Sequence, residues 1–115
     1  MSRPQNVEST TGDLRLATRL PALREILEEQ RDVATAAVTS ILTSRTDPKD
    51  EMAVRVRDAA LLALAVIDAA LGRIDHGRYG ICGGCGDPIA IERLAALPTA
   101  DLCIGCQRRR ESHDR

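Results

Sequence analysis

All four cysteines of this 115-residue chain lie in one short stretch, and their spacing is typical of a metal site. The stretch reads CGGCGDPIAIERLAALPTADLCIGC, so the candidate ligands are Cys82, Cys85, Cys103 and Cys106. Each Cys-x-x-Cys pair can direct two thiolates at one ion, and two such pairs separated by 17 residues are typical of zinc ribbons. Because four sulfurs fill a tetrahedral shell and leave no open position, the sequence predicts one structural Zn²⁺.

Other uses of the cysteines fit the sequence less well. A redox dithiol of the thioredoxin type needs one Cys-x-x-Cys within a βαβ pattern, and this chain shows no such pattern. Two disulfides are typical of secreted proteins, but the chain begins MSRPQNVEST, without the apolar stretch of a signal peptide. No nucleophile–base pair or glycine-rich loop between a strand and a helix points to an enzyme.

The charge and hydropathy of the chain limit the kinds of partner that it can bind. The formal net charge is −1, so no general positive field draws the chain to nucleic acid or to an anionic membrane. No run approaches the roughly 18 apolar residues of a membrane span. We therefore expect a soluble, cytoplasmic protein without a membrane partner.

Upstream of the cysteines, apolar residues recur in alternating steps of four and three, which is the pattern of a coiled-coil seam. Pro21 is tolerated in the first turn of a helix, so we expect the first regular helix to begin near Thr18. Asp47-Pro48 predicts a turn and the start of a second helix, and Gly77 is the expected residue just past that helix's end. The predicted seam residues are Leu16, Leu20, Leu23, Leu27, Gln30, Ala34, Ala37 and Ile41, followed by Val56, Ala60, Ala63, Ile67, Ala70 and Ile74.

These elements predict a mainly α fold in three parts. Residues 1–12 form a disordered tail, residues 13–78 an antiparallel coiled-coil hairpin with its tip near 44–52, and residues 79–115 a four-cysteine finger with a short C-terminal helix. Two long helices joined by a tight turn must run antiparallel and pack together. We expect a monomer, while a bundle completed by dimerisation through a flanking stripe remains an alternative. That stripe contains Leu61, Leu64 and Leu71.

The finger and the overall layout resemble the DksA/TraR family of bacterial transcription regulators. Residues 79–107, YGICGGCGDPIAIERLAALPTADLCIGCQ, share that family's Y-G-x-C-x-x-C-G start, its I-x-x-x-R-L segment and its P-T-A-D-L-C-x-x-C end. The resemblance implies a protein that binds RNA polymerase rather than DNA. It also implies a hairpin that enters the polymerase's secondary channel and alters initiation, often together with the stringent-response nucleotide ppGpp.

The resemblance makes the tip the acting end of the molecule. The family's D-x-x-D-x-A pattern corresponds here to Asp47, Asp50 and Met52, so both acids match and a methionine replaces the alanine. The alternative is that Asp47 caps the second helix, with Pro48 at its first position. Two departures bear on the tip's function: the bulkier Met52, and a second arm about one heptad, or roughly 10 Å, shorter than in the long family members.

Basic residues near the finger form a second candidate surface for the polymerase or ppGpp. Arg93 lies in the I-x-x-x-R-L segment, and Arg108 and Arg109 follow the last cysteine. The alternative is that the terminal arginines complement the dipole of a helix and keep it soluble.

A function from another class also fits parts of the sequence. A zinc-ribbon module that binds nucleic acid, with a helical dimerisation hairpin, would need a basic finger. Between Cys82 and Cys106, however, three acidic residues outnumber Arg93. The preferred hypothesis is therefore a regulator that binds RNA polymerase without specific DNA recognition.

Overall fold

The computed structural model describes residues 3–44, 47 and 49–113, with side chains from residue 15 onward. Within these residues the chain forms four helices, and one antiparallel bridge joins Ile81 to Pro88. The predicted fold class, a long helical hairpin followed by a small cysteine finger and a short last helix, is confirmed. The helices are α1 (Arg3–Thr43), α2 (Glu51–Asp75), α3 (Ile91–Ala96) and α4 (Ile104–His113).

The first helix begins earlier than the sequence predicted. It includes the backbone of residues 3–12, where we expected a disordered tail, and it starts well before Thr18. Pro21 lies inside it rather than in its first turn, so the helix continues past one missing backbone hydrogen bond. Pro4 lies in the first turn, where proline is tolerated, and Gly12 costs about 1 kcal/mol relative to alanine. One interior proline and one glycine do not end a helix of 41 residues.

The second helix begins three residues later than Pro48 and ends where the sequence predicted. Its N-cap is Asp50, and Glu51 in the first turn suits the helix dipole. At the other end, His76 is the C-cap and its N–H bonds the carbonyl of Gly72 at 3.0 Å. Gly77 follows with φ +68, the left-handed conformation that a residue after a helix commonly needs. The helix has 25 residues and is therefore about 37 Å long.

α1 and α2 pack along a seam that matches the predicted one in its middle and departs from it towards the tip. Leu23, Leu27, Ala34, Ile67 and Ala70 are buried. Four predicted positions, Gln30, Ala37, Val56 and Ala63, are exposed, and Val38 and Leu64 are half-buried where Ala37 and Ala63 were expected. For Val56 and Ala63 the error has a simple cause: α2 carries apolar residues on more than one face, so two registers of four-three steps fit its sequence.

The finger packs on the base of the hairpin and shares its core. Tyr79, Ile89 and Leu94 are buried in one cluster with Leu23 and Leu27 of α1. Cys82 and Cys106 belong to the same cluster. Gly80 makes the contact close, because a Cβ at this position would lie 2.8 Å from Cδ2 of Leu16. One hydrophobic core therefore holds the hairpin and the cysteines together.

Candidate metal centre and hairpin tip

The two Cys-x-x-Cys turns are brought together by backbone hydrogen bonds. In the first turn, Gly86 donates to the carbonyl of Cys82 at 2.9 Å, and Cys82 donates to the carbonyl of Asp87 at 2.8 Å. The second turn joins the first because the N–H of Gly83 donates to the carbonyl of Asp101 at 2.8 Å. α4 then begins at Ile104, so the last cysteine lies in its first turn.

The four thiols form a cage that fits a tetrahedral ion. Their Sγ atoms all lie within 4.8 Å of one another, and the Sγ atoms of Cys85 and Cys103 are 3.9 Å apart. Zn–S bonds of about 2.3 Å arranged tetrahedrally place sulfurs roughly 3.8 Å apart, which these distances match. None of the four is in a disulfide. The predicted ligand set is thus assembled around space for one zinc ion.

Donors around the cage stabilise sulfur in its thiolate form. The N–H groups of Cys103 and Gly84 lie 3.2 and 3.3 Å from Sγ of Cys82. The first of these is the largest cause that lowers the pKa of Cys82, to about 6. For Cys85 the N–H of Asp87 lowers the pKa, but the neighbouring Cys82 and the other sulfurs outweigh it and raise that pKa to about 12. Four adjacent thiolates repel one another, and a divalent cation among them removes that cost.

Arg109 is part of this centre, a role that the sequence analysis missed. Its guanidinium donates to Sγ of Cys106 at 3.1 Å, and the same contact raises the pKa of Arg109. The signal was present in the sequence, because a residue three positions after a cysteine on a helix lies on the same face. A hydrogen bond from a second residue to a metal ligand orients that ligand and tunes its basicity.

Arg93 also holds the finger together. Its Nε donates to the carbonyl of Leu102 at 2.9 Å, which ties α3 to the segment before the second cysteine pair. Two further hydrogen bonds hold the segment between α3 and the second cysteine pair. The hydroxyl of Tyr79 donates to the carbonyl of Pro98 at 2.7 Å, and the guanidinium of Arg73 donates to the carbonyl of Thr99 at 3.3 Å. Burial raises the pKa of Tyr79, so its hydroxyl keeps its proton. Of the three predicted basic contacts, Arg108 alone is exposed without a hydrogen bond or ion pair to the rest of the described chain.

At the far end of the hairpin, the two acidic residues of the tip have different local roles. Oδ1 of Asp47 accepts the N–H of Lys49 at 2.8 Å and so forms the turn that precedes α2. Oδ1 of Asp50 accepts the N–H groups of Met52 and Ala53 at 3.0 and 3.4 Å, which makes Asp50 the cap. The predicted alternative, a cap by Asp47, is therefore wrong.

The tip presents all three predicted residues to solvent. Asp47 and Asp50 are exposed, and Met52 is 64% exposed. Each of the described hydrogen bonds uses Oδ1 of its carboxylate, which leaves Oδ2 of Asp47 and Asp50 for another molecule. The 25 residues of α2, about 37 Å, separate the tip from the finger, so the metal centre and the acidic tip are separate sites.

Comparison with known proteins shows which protein family shares this architecture. The model of the prokaryotic dksA/traR C4-type zinc finger matches residues 77–112. The RNA polymerase-binding transcription factor DksA of Caulobacter vibrioides is 35% identical over 100 residues, which cover 79% of this chain and 69% of that protein. The chain belongs to the DksA/TraR family.

Other members agree with this assignment. DksA of Escherichia coli is 32% identical over 96 residues, which cover 76% of this chain and 64% of that protein. The structure of transcription factor DksA2 from Pseudomonas aeruginosa superimposes with a TM-score of 0.71 at 29% identity, and covers 85% of this chain and 87% of that one. The four cysteines of this DksA/TraR protein are accordingly a C4 zinc finger with one structural zinc. Among the described helices, none combines the length and apolar character of a membrane span.

Proposed function

We propose that this DksA/TraR protein binds RNA polymerase through the secondary channel and modulates initiation with its acidic tip. The observation that carries the proposal is the placement of Asp47 and Asp50, which are exposed at the end of a two-helix arm and separated from the finger by the length of α2. Relatives that are named RNA polymerase-binding transcription factors support it. In this proposal the protein is not an enzyme, acts in the cytoplasm, and recognises no DNA sequence by itself.

The free carboxylate oxygens give the tip its chemistry. Each acid keeps its local structure with Oδ1 and offers Oδ2 and a negative charge to a basic group of the polymerase. Such a charge-assisted hydrogen bond is roughly twice as strong as a neutral one. Met52, 64% exposed beside the acids, would contact the polymerase in place of the alanine of other members.

The finger supports binding rather than regulation. Arg93 and Arg109 are engaged by Leu102 and Cys106, so Arg108 is our candidate for a contact with the polymerase or with a phosphate of ppGpp at the interface. The nucleic-acid module considered as the alternative is not favoured, because two of the finger's basic groups serve its own structure.

The test separates charge from structure at the tip. Asp50→Asn and Asp47→Asn keep an acceptor oxygen at the position of Oδ1 and remove the charge, so both variants should melt and bind polymerase like the parent. They should lose the effect on initiation in a purified transcription assay. Asp58→Asn is the matched control, since Asp58 is an exposed acid on α2 away from the tip and should regulate normally. Normal regulation by the double asparagine variant would refute the role of the tip.

The location of the tip can be measured independently. Lys49 is the chain's single lysine and lies exposed between the two acids. An amine-reactive cross-linker of short span therefore reports mainly on the tip. Cross-links from Lys49 should fall in the secondary channel, whereas cross-links confined to the outer surface of the polymerase, or a sequence-specific DNA footprint without polymerase, would contradict the proposal.

A further inference from the structure

The acidic tip of the hairpin also carries a cation. Residues 47–51 contain Asp47, Lys49, Asp50 and Glu51, so three acids accompany one lysine and the segment has a net charge of −2. The proposed function assigns Asp47 and Asp50 to basic groups of the polymerase and leaves the lysine without a role. Lys49 is the chain's single lysine, so any chemistry that is specific for the ε-amine reports on this one position.

The backbone around Lys49 is held in place, while its side chain is left free. The N–H of Lys49 donates to Oδ1 of Asp47 at 2.8 Å, and the N–H of Asp50 donates to the carbonyl of Asp47 at 2.9 Å. The side chain of Lys49 is exposed, and its ammonium makes no hydrogen bond or ion pair with any residue that the structure describes. The turn therefore presents to solvent a cation that none of the three neighbouring acids engages.

This pattern of charges restricts the surface that the tip can bind. A surface with basic groups alone would attract the acids but repel Lys49, and it would remove the ammonium from water without giving it a partner. A surface that places an anionic group beside the basic groups satisfies the acids and the lysine together. The lysine thus makes the tip selective for a site of mixed charge.

We propose that Lys49 is a specificity-determining residue of the tip and pairs with a carboxylate of RNA polymerase, next to the basic groups that the acids contact. The inference rests on the proposed function and adds a second partner chemistry to the same contact. A carboxylate is favoured over a phosphate, because the three neighbouring acids would repel a doubly charged phosphate about twice as strongly. Lysine suits a single carboxylate, since its compact charge lies on a flexible stem and needs no planar two-point partner.

Substitution of Lys49 gives results of opposite sign for the two kinds of surface. If the ammonium pairs with a carboxylate, Lys49→Met should reduce the effect on initiation at saturating protein about two- to fivefold, because an exposed ion pair is lost. Lys49→Glu should reduce the effect further, because it places like charges together. On a surface with basic groups alone, both variants would regulate more strongly than the parent, which would overturn the inference. All variants keep the N–H that Asp47 accepts, so they should melt like the parent.

A carbodiimide detects the contact directly, because it joins an amine to a carboxylate without a spacer. The reagent activates the carboxylate, the ε-amine of Lys49 displaces the activating group as a urea, and an amide forms while the carbodiimide takes up the water. The reaction of the zinc-loaded protein with RNA polymerase, without nucleotides or nucleic acid, should give an amide between Lys49 and an aspartate or glutamate of the polymerase. Lys49→Arg should regulate like the parent and lose this amide, because a guanidinium is not coupled.

Arg55→Met is the matched control, since Arg55 is an exposed cation of α2 outside the tip and has no ion pair within the described residues. Equal losses of regulation in Arg55→Met and Lys49→Met would mean that overall charge matters rather than a contact, and would overturn the inference. So would an effect of Lys49→Met that depends on nucleotide concentration without the amide, which would assign the ammonium to a phosphate.

The failure of this inference can be told apart from the failure of the proposed function. Normal regulation by the double asparagine variant of Asp47 and Asp50 would refute the proposed function and this inference with it. Loss of regulation in that variant, combined with parent-like regulation by Lys49→Met, would refute the role of Lys49 alone.

Discussion

Two neighbouring arginines on α4 have different surroundings, and they allow the metal centre to be examined at the scale of single residues. Both are exposed, but Arg109 donates to the sulfur of Cys106 at 3.1 Å, whereas Arg108 makes no hydrogen bond or ion pair with the described residues. The guanidinium neutralises part of the negative charge that the Cys106 thiolate retains after it binds zinc. The bond also restricts the rotation of the Cys106 side chain.

Removing this donor should weaken zinc binding. Arg109→Met retains most of the side chain's length and loses the guanidinium, so we expect zinc affinity to fall by about tenfold or more. Arg108→Met changes the same charge one residue away and should leave the affinity unchanged. Competition with a chromophoric chelator measures both, and equal affinities in the two variants would show that the bond does not support the centre.

At the scale of elements, the start of α2 depends on one carboxylate. Asp50 satisfies the N–H groups of Met52 and Ala53, which have no partner within the helix. Asp47 forms the preceding turn, so the two acids are not interchangeable. The tip thus combines a structural cap and a proposed contact in the same side chain.

Loss of the cap should be visible in stability. Asp50→Ala should lower the free energy of unfolding by about 1 kcal/mol, within the usual range of roughly 0.5–2 kcal/mol, because the N–H groups of α2 lose their acceptor. Asp50→Asn should melt like the parent. Thermal unfolding followed by circular dichroism measures the difference, and a parent-like melt of Asp50→Ala would mean that solvent replaces the cap without cost.

A feature could be predicted from the sequence when neighbouring residues alone determine it, and was missed when it depends on the backbone path or on packing. Cys82, Cys85, Cys103 and Cys106 were predicted correctly because the spacing of the thiols alone indicates a shared ion. The cap was misplaced by three residues, because Asp47 and Asp50 both precede helix-forming residues and only the backbone path distinguishes them. The helix through Pro21 was missed because its continuation depends on neighbouring turns and packing rather than on the local preference of proline.

At the scale of the whole molecule, the finger is seated on α1 through a contact that tolerates little extra volume. Gly80 has φ +82, and a Cβ there would lie 2.8 Å from Leu16 and 3.4 Å from Leu94. No sequence pattern linked these positions, since Leu16 and Gly80 are far apart in the chain. The ion pair of Arg15 with Glu92, 3.5 Å, lies beside the same contact.

A pair of alanine substitutions isolates this contact. Gly80→Ala and Gly86→Ala both place alanine at positive φ, which costs roughly 1–2 kcal/mol, but Gly86 has open space around it. Gly80→Ala should therefore lower the free energy of unfolding more than Gly86→Ala does. Adding Leu16→Ala to each should reduce that difference. Equal losses in the two single variants, measured by urea unfolding, would show that the finger shifts on α1 without cost.

The core shared by α1 and the finger also sets the order in which the protein can complete its fold during synthesis. Leu23 and Leu27 are made first, but the Tyr79 and Leu94 side chains that help to bury them come later in the chain. Leu23 and Leu94 are about 70 residues apart, which takes roughly 4–14 s of translation at about 5–20 residues per second. During these seconds the nascent α1 displays a leucine stripe without its cover. We expect the newly made chain to be a substrate for chaperones that hold exposed apolar helices.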